Sequence, residues 1–133
     1  MIRTIKQVAK YVYKTLGAGH EEAIYRDAMS VELQDRGYTV KTEAPVSIQY
    51  ITKKGKKMIV GRGGIDLYIV KENKYAVIEL KAIRRILKEN SKTTKEGTKE
   101  YHQLKKYLEA LDVETGVLIN FPFPPEDEPE IIE

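Results

Sequence analysis

The sequence predicts an α/β fold, a mixed central β-sheet flanked by α-helices, and three features predict it. Two short apolar runs, Ile65–Val70 and Tyr75–Ala82, are rich in Ile, Val and Tyr and are joined by the polar turn Lys71-Glu72-Asn73-Lys74, as in a β-hairpin. Their near-continuous apolarity marks strands covered on both faces. Before and after this hairpin, apolar residues recur at the helical period. The expected order is α-α-β-β-β-β-α-β, with the strand count between Tyr38 and Val60 open by one.

Taken in order, Ile5, Val8, Val12 and Leu16 form the apolar stripe of a first helix, which Gly17 stops. The bend Gly17-Ala18-Gly19 leads into a second helix that runs through Tyr25, Met29 and Leu33 to Arg36 and ends at Gly37. Val40, Val46, Ile48, Tyr50, Met58 and Val60 then mark two or three strands, interrupted by Pro45 and turning at Lys53-Lys54-Gly55-Lys56-Lys57. Those lysines read as a solvated turn. Gly61-Arg62-Gly63-Gly64 reads as a loop whose glycines allow close backbone approach. Lys99–Leu111 carries Leu104, Tyr107, Leu108 and Leu111 on one helical face, and Val117–Phe121 is the closing strand. Residues 1–122 make one domain, and the Pro-rich acidic segment 123–133 is expected as a flexible tail.

Composition narrows the chemistry. With 41% hydrophobic residues over 133 positions, the chain is long enough for one proper core. It has no apolar run near membrane-spanning length. Nor is there a signal-like apolar segment at the N-terminus, so a cytoplasmic protein without membrane association is expected. No cysteine is present, which excludes disulfides, thiolate catalysis and zinc ribbons, and two histidines leave carboxylates as the source of any metal site. The net charge of +3 conceals an asymmetry: Glu126, Asp127, Glu128, Glu130 and Glu133 lie in the tail, leaving residues 1–125 at +8. A basic body fits a polyanion partner. Residues 84–106 hold eight Lys or Arg against three Glu, and Ser91, Thr93, Thr94 and Gly97 mark a loop there. That loop, led by Arg84 and Arg85, is well placed to grip a phosphate backbone.

Charged residues inside the apolar hairpin need a reason, because an unpaired buried charge is very costly. Asp66 stands in the first strand, and Glu79 and Lys81 share a face of the second. Two carboxylates on neighbouring strands can hold a hard cation such as Mg²⁺ through oxygen ligands, and a lysine beside them can orient a water or stabilise a phosphorane. The bland alternative is a Glu–Lys pair with an Asp at a strand start. Glu22 falls on the inward stripe of the second helix, either as a helix-terminal acid or as a third acid for the site.

The pattern Asp66…Glu79-x-Lys81 resembles the PD-(D/E)xK nuclease superfamily. Gly19-x-x-Glu22-x-x-Tyr25, followed by the hairpin, the Asp strand, Glu-x-Lys and Gln103-x-x-x-Tyr107, resembles the GxxExxY branch, over about residues 5–122. Three departures stand out: the Gly61–Gly64 entry is about one residue longer than usual, Ile65 precedes the Asp where a small residue is common, and the segment from Arg84 to Gly97 is long. The resemblance implies a restriction-endonuclease-like core and a nuclease cutting DNA with Mg²⁺ or Mn²⁺. Asp66, Glu79 and the Leu80 carbonyl would be ligands, Glu22 an assisting acid and Lys81 the water-positioning group. Gln103 and Tyr107, with Arg84 and Arg85, would serve the substrate. A dimeric junction-resolving endonuclease is the near alternative, and a non-catalytic nucleic-acid-binding module is the distant one. No ATP-binding motif is present, so any targeting would come from a partner protein.

Overall fold

In the computed structural model, which describes residues 1–86 and 98–133, helix α1 (Ile2–Leu16) buries Ile5, Val8, Ala9, Val12 and Tyr13 along its predicted stripe. Gly17 ends it at φ 77, a left-handed conformation that glycine adopts without strain. Helix α2 (Glu22–Asp35) follows, with Tyr25, Met29 and Leu33 fully buried. The basic loop expected around Ser91 to Gly97 lies outside the described residues.

Strands β1 (Thr39–Ile51), β2 (Lys57–Lys71) and β3 (Lys74–Lys81) come next, then α3 (Lys99–Leu111), β4 (Thr115–Asn120) and β5 (Glu130–Ile132). They build one mixed sheet in the order β1-β2-β3-β4-β5. Neighbours are antiparallel except β3 and β4, which are parallel and span the segment containing α3. Central β3 buries Ala76 to Leu80 without interruption, as a strand covered on both faces must. Helices α1 and α2 pack with Ala76, Ile78, Leu80, Val117 and Ile119 on one face. On the other face Leu104 and Tyr107 of α3 pack with Val77 and Leu118.

Three details differ from the sequence reading. Met58 to Val70 form one continuous strand, so the order is α-α-β-β-β-α-β-β and the glycines 61–64 are strand residues rather than a loop. Pairing with Pro45, Val46, Ser47 and Ile48 of β1 keeps them extended. The acidic C-terminal segment is not all tail: Ile131 and Ile132, the apolar pair after Pro129, seat β5 against β4, with Ile132 in the α3-side core. Pro45 is tolerated because β1 is the sheet edge. Among the described residues no helix is long and apolar enough to cross a membrane.

Candidate active site

The site forms where β2 and β3 part. Their ladder ends at Leu67 opposite Ile78, one residue short of Asp66 and Glu79. Side chains replace the missing ladder bonds. The Leu80 N–H donates to Asp66 Oδ2 at 2.7 Å, and the Asp66 N–H donates to Glu79 Oε1 at 3.2 Å. Two carboxylates thus clasp opposite backbones across the opening.

Asp66 also marks a change of face. Leu67 and Ile69 pack on the α1–α2 side, whereas Ile65 packs on the α3 side. In a regular strand Ile65 and Leu67 would point the same way. Neighbouring β1 does likewise: Val40 packs on the α1–α2 side, Ala44 and Val46 on the α3 side, with Glu43 between them at φ 51. The switch lets Asp66 reach the backbone of β3 sideways.

Glu22, in the first turn of α2, comes up beside Asp66. Partial burial and then the Asp66 charge hold the Glu22 carboxyl above its ordinary value, against the opposing pull of Lys81 and Arg26. The helix is aimed by Tyr25, whose hydroxyl donates to the Gly17 carbonyl at 2.7 Å while its ring stacks on Phe121 at 4.3 Å. His20 is structural: its Nε2 lies 2.9 Å from the Leu16 carbonyl and its ring meets the Tyr25 ring edge-on. Glu79 is only 5% exposed. Burial, reinforced by the Asp66 charge, pushes its carboxyl up to about 8, with the Asp66 N–H and Lys81 pulling the other way. Two acids in contact cannot both ionise freely without a cation near them.

On the α3 side, Gln103 Nε2 donates to the Tyr107 hydroxyl at 3.0 Å. Burial first, and then the Glu79 charge, push that hydroxyl up. Lys81, Lys99, Glu100 and Gln103 line a cleft of about 360 Å³ beside the acids. Glu22, Asp66, Glu79, Lys81, Gln103 and Tyr107 therefore meet in one place. Of the two arginines that follow, the Arg84 backbone carbonyl accepts from Asn120 Nδ2 at 3.1 Å, and the Arg85 side chain turns toward the C-terminal segment, its Nη1 3.9 Å from Glu126 Oε1.

Two supporting residues were not singled out in the sequence. Asn120, fully buried, binds the turn that follows Lys81; a polar residue inside the apolar run Val117–Phe121 was the available signal. Gly63 lies under the hydroxyl end of the Tyr107 ring, where a Cβ would strike the hydroxyl oxygen first and sit 3.0 Å from Cζ. Gly63→Ala should therefore displace Tyr107, lowering stability by about 1–3 kcal/mol, as overpacking does. Thermal unfolding and a changed Tyr107 titration would check it; an unaltered Tyr107 would refute the contact.

Among the described residues no three His, Asp or Glu side chains gather tightly enough to hold a metal ion by themselves. The site offers a pair of carboxylates, a third acid next to the pair, a lysine and an open cleft. These are parts suited to phosphodiester chemistry. The chain belongs to the PD-(D/E)XK nuclease superfamily, whose family model matches residues 1–132, and this membership suggests a nuclease. No curated protein matches the sequence. Among solved structures the chain is similar to the crystal structure of SSO0001, at 24% identity and a TM-score of 0.50, over 84% of this chain. It spans about half, 52%, of that longer chain, and the likeness concerns the fold alone.

Proposed function

We propose that this protein is a metal-dependent nuclease that hydrolyses DNA phosphodiester bonds at Asp66, Glu79 and Lys81, within the GxxExxY branch of its superfamily. The observation that carries the proposal is the reciprocal clasp of Asp66 and Glu79 at the parting of β2 and β3. Glu22 of the Gly19-x-x-Glu22-x-x-Tyr25 segment stands beside it, which favours that branch.

The donors fit a hard divalent cation: all are oxygens, and burial together with the neighbouring Asp66 charge holds Glu79 protonated, a cost that a bound cation would offset. Asp66, Glu79 and the Leu80 carbonyl would hold Mg²⁺ or Mn²⁺, which supplies water activation and charge neutralisation at the phosphate. The protein's own groups do the rest. Lys81, next to Glu79 on the open side, orients the attacking water and offsets charge on the phosphate oxygens. Glu22 keeps a proton close to Asp66 or anchors a water there. Gln103 fixes the Tyr107 hydroxyl, and the pair contacts the substrate backbone from the α3 side. Arg84 and Arg85 extend that contact beyond β3.

The test is cleavage of labelled single-stranded, duplex and branched DNA with Mg²⁺, Mn²⁺ or EDTA. Asp66→Ala and Lys81→Ala should each lower metal-dependent cleavage by ~10²–10⁴-fold while DNA binding persists. Retained cutting in Asp66→Ala would end the metal role. Preference for four-way junctions would favour a resolving endonuclease, and binding without any cutting would indicate an accessory module.

A further inference from the structure

Beyond Asp66 the sheet narrows to two strands. The β2–β3 ladder covers only Leu67 to Lys71 of β2, whereas the β1–β2 ladder runs on to Ile51 opposite Lys57. A two-stranded arm therefore projects from the candidate site, and Thr52 to Lys56 form its tip. Helix α3 covers one face of its base, where Val46 is buried and Ile48 packs partly. Paired residues share a face, so Ser47 with Arg62, Gln49 with Ile59, and Ile51 with Lys57 lie on the other one, and all six are exposed.

The arm carries charge of one sign. Between Glu43 and Asp66 stand Lys53, Lys54, Lys56, Lys57 and Arg62 and no acid, so this stretch sums to +5 in a chain whose net charge is +3. A surface that serves only solubility intersperses both signs. Among the described residues, none of the five cations has a carboxylate at ion-pair distance, although Arg26 and Arg36 both do. Lysines that guard a sheet edge stand along the edge strand. Here Ala44 to Ile51 of β1 carries none, and the cations gather at the tip and on β2.

We propose that this arm grips the backbone of double-stranded DNA: Arg62, Lys57 and the tip lysines contact phosphates up to about one helical turn from the bond that is cut. The position of that bond rests on the nuclease reading of the acids; the grip itself does not. A strand rises about 3.3 Å per residue, which sets Arg62 ~13 Å from Asp66 and Lys57 ~26 Å, leaving out Val60, the extra residue of the bulge. The tip lies roughly 10 Å further on. These reaches match about four and eight base pairs, and the tip about one turn of 34–36 Å, where a duplex backbone returns to the same face. A single strand has no such return and is held by stacking on aromatic side chains. The open face of the arm, Ser47 to Ile51 with Lys57 to Arg62, presents none. Ser47 and Gln49 instead offer hydrogen bonds to phosphate or sugar between the cations. A two-stranded ribbon is also narrow enough to enter a major groove.

The test is fluorescence anisotropy of a labelled duplex of about 24 base pairs, somewhat over two turns, in EDTA, where the proposed chemistry is off. Lys54→Gln/Lys56→Gln/Lys57→Gln removes three phosphate contacts. It should flatten the slope of log K against log salt by about 2.7 and weaken binding roughly tenfold or more at ~0.1 M salt. Arg62→Gln should flatten the slope by about 0.9. All these positions are exposed, so circular dichroism should show the variants folded. Lys10→Gln/Lys14→Gln, exposed on α1, should leave slope and affinity unchanged. The losses should be smaller on the same strand left single. Unchanged slopes in both arm variants would overturn the proposal even if the protein cuts DNA, and equal losses on single-stranded DNA would overturn the duplex assignment. Weakened binding in the arm variants of a protein that cuts nothing would support the arm and remove the nuclease reading.

Discussion

Glu79→Gln is expected to abolish cleavage and yet make the metal-free protein harder to unfold at pH 8. On the proposed mechanism the activity loss follows from removing one of two paired oxygen ligands, and should reach about 10²–10⁴-fold. The stability gain follows from linkage. In the fold, burial and the Asp66 charge place the Glu79 carboxyl at about 8, whereas the unfolded chain returns it to its ordinary 4.5. Between those values the folded state binds the extra proton, so stability falls as pH rises. Below pH 4.5 both states are protonated and the stability is fully present; above 8 it is fully lost. The loss across the window should be on the order of 2–4 kcal/mol for so buried a group. Glutamine stays neutral throughout, so the variant should decline less steeply than the wild type. Glu22, raised for similar reasons, adds a decline of the same sign to both proteins, so the difference between the two profiles isolates Glu79. Thermal unfolding in EDTA from pH 5 to 8.5 measures both profiles. Adding Mg²⁺ at pH 8 should restore the wild type alone, because a cation that binds only the folded, ionised site stabilises by mass action. Parallel wild-type and Glu79→Gln profiles would show that Glu79 is not held protonated, and the acid pair would lose its explanation.

That trade-off is why the candidate site was legible in the sequence. Asp66, Glu79 and Lys81 contradict the apolar strands around them, and the contradiction marks chemistry before any geometry is known. Glu22 stood out likewise, on a stripe it shares with Tyr25, Met29 and Leu33. The fold class was legible because helical stripes and doubly covered strands leave different periods. What stayed hidden depends on contacts between distant segments. Glycines at 61, 63 and 64 look like a loop, since their extended conformation is imposed by pairing with β1. One of them is needed beneath Tyr107, forty-odd residues away, which no local pattern records. The reversal of faces at Asp66 breaks the alternation on which strand reading rests. The β5 strand was masked by prolines and acids, although two isoleucines suffice to seat it.

Asn120→Ala should be among the most destabilising single changes in the chain, by about 3 kcal/mol, because it strips several buried groups of partners at once. The side chain is fully buried at the end of β4. Its Oδ1 accepts from the Ile83 N–H at 3.0 Å, and its Nδ2 donates to the Ile83 and Arg84 carbonyls, each at 3.1 Å. Nδ2 also reaches Glu130 Oε1 at 3.2 Å, the same oxygen that accepts the Ile86 N–H at 2.7 Å. One amide therefore ties the turn after Lys81 to both β4 and β5. Alanine leaves these backbone groups with neither partner nor room for full hydration, and it releases Glu130 as well. Since Asn120 pairs with Lys81 across the parallel ladder, the loosened turn should also lower cleavage, though by less than the loss of an acid does. Asn120→Asp separates the donor from the acceptor contribution. It keeps an acceptor for the Ile83 N–H but loses the donors and sets a carboxylate against Glu130. It should then lose more stability from pH 5 to pH 8 than the wild type does, because only the protonated acid again donates. Urea unfolding of the three proteins at both pH values decides the matter. A loss below about 1 kcal/mol for Asn120→Ala would mean that water replaces the amide at no great cost, and that the turn is held by Glu130 alone.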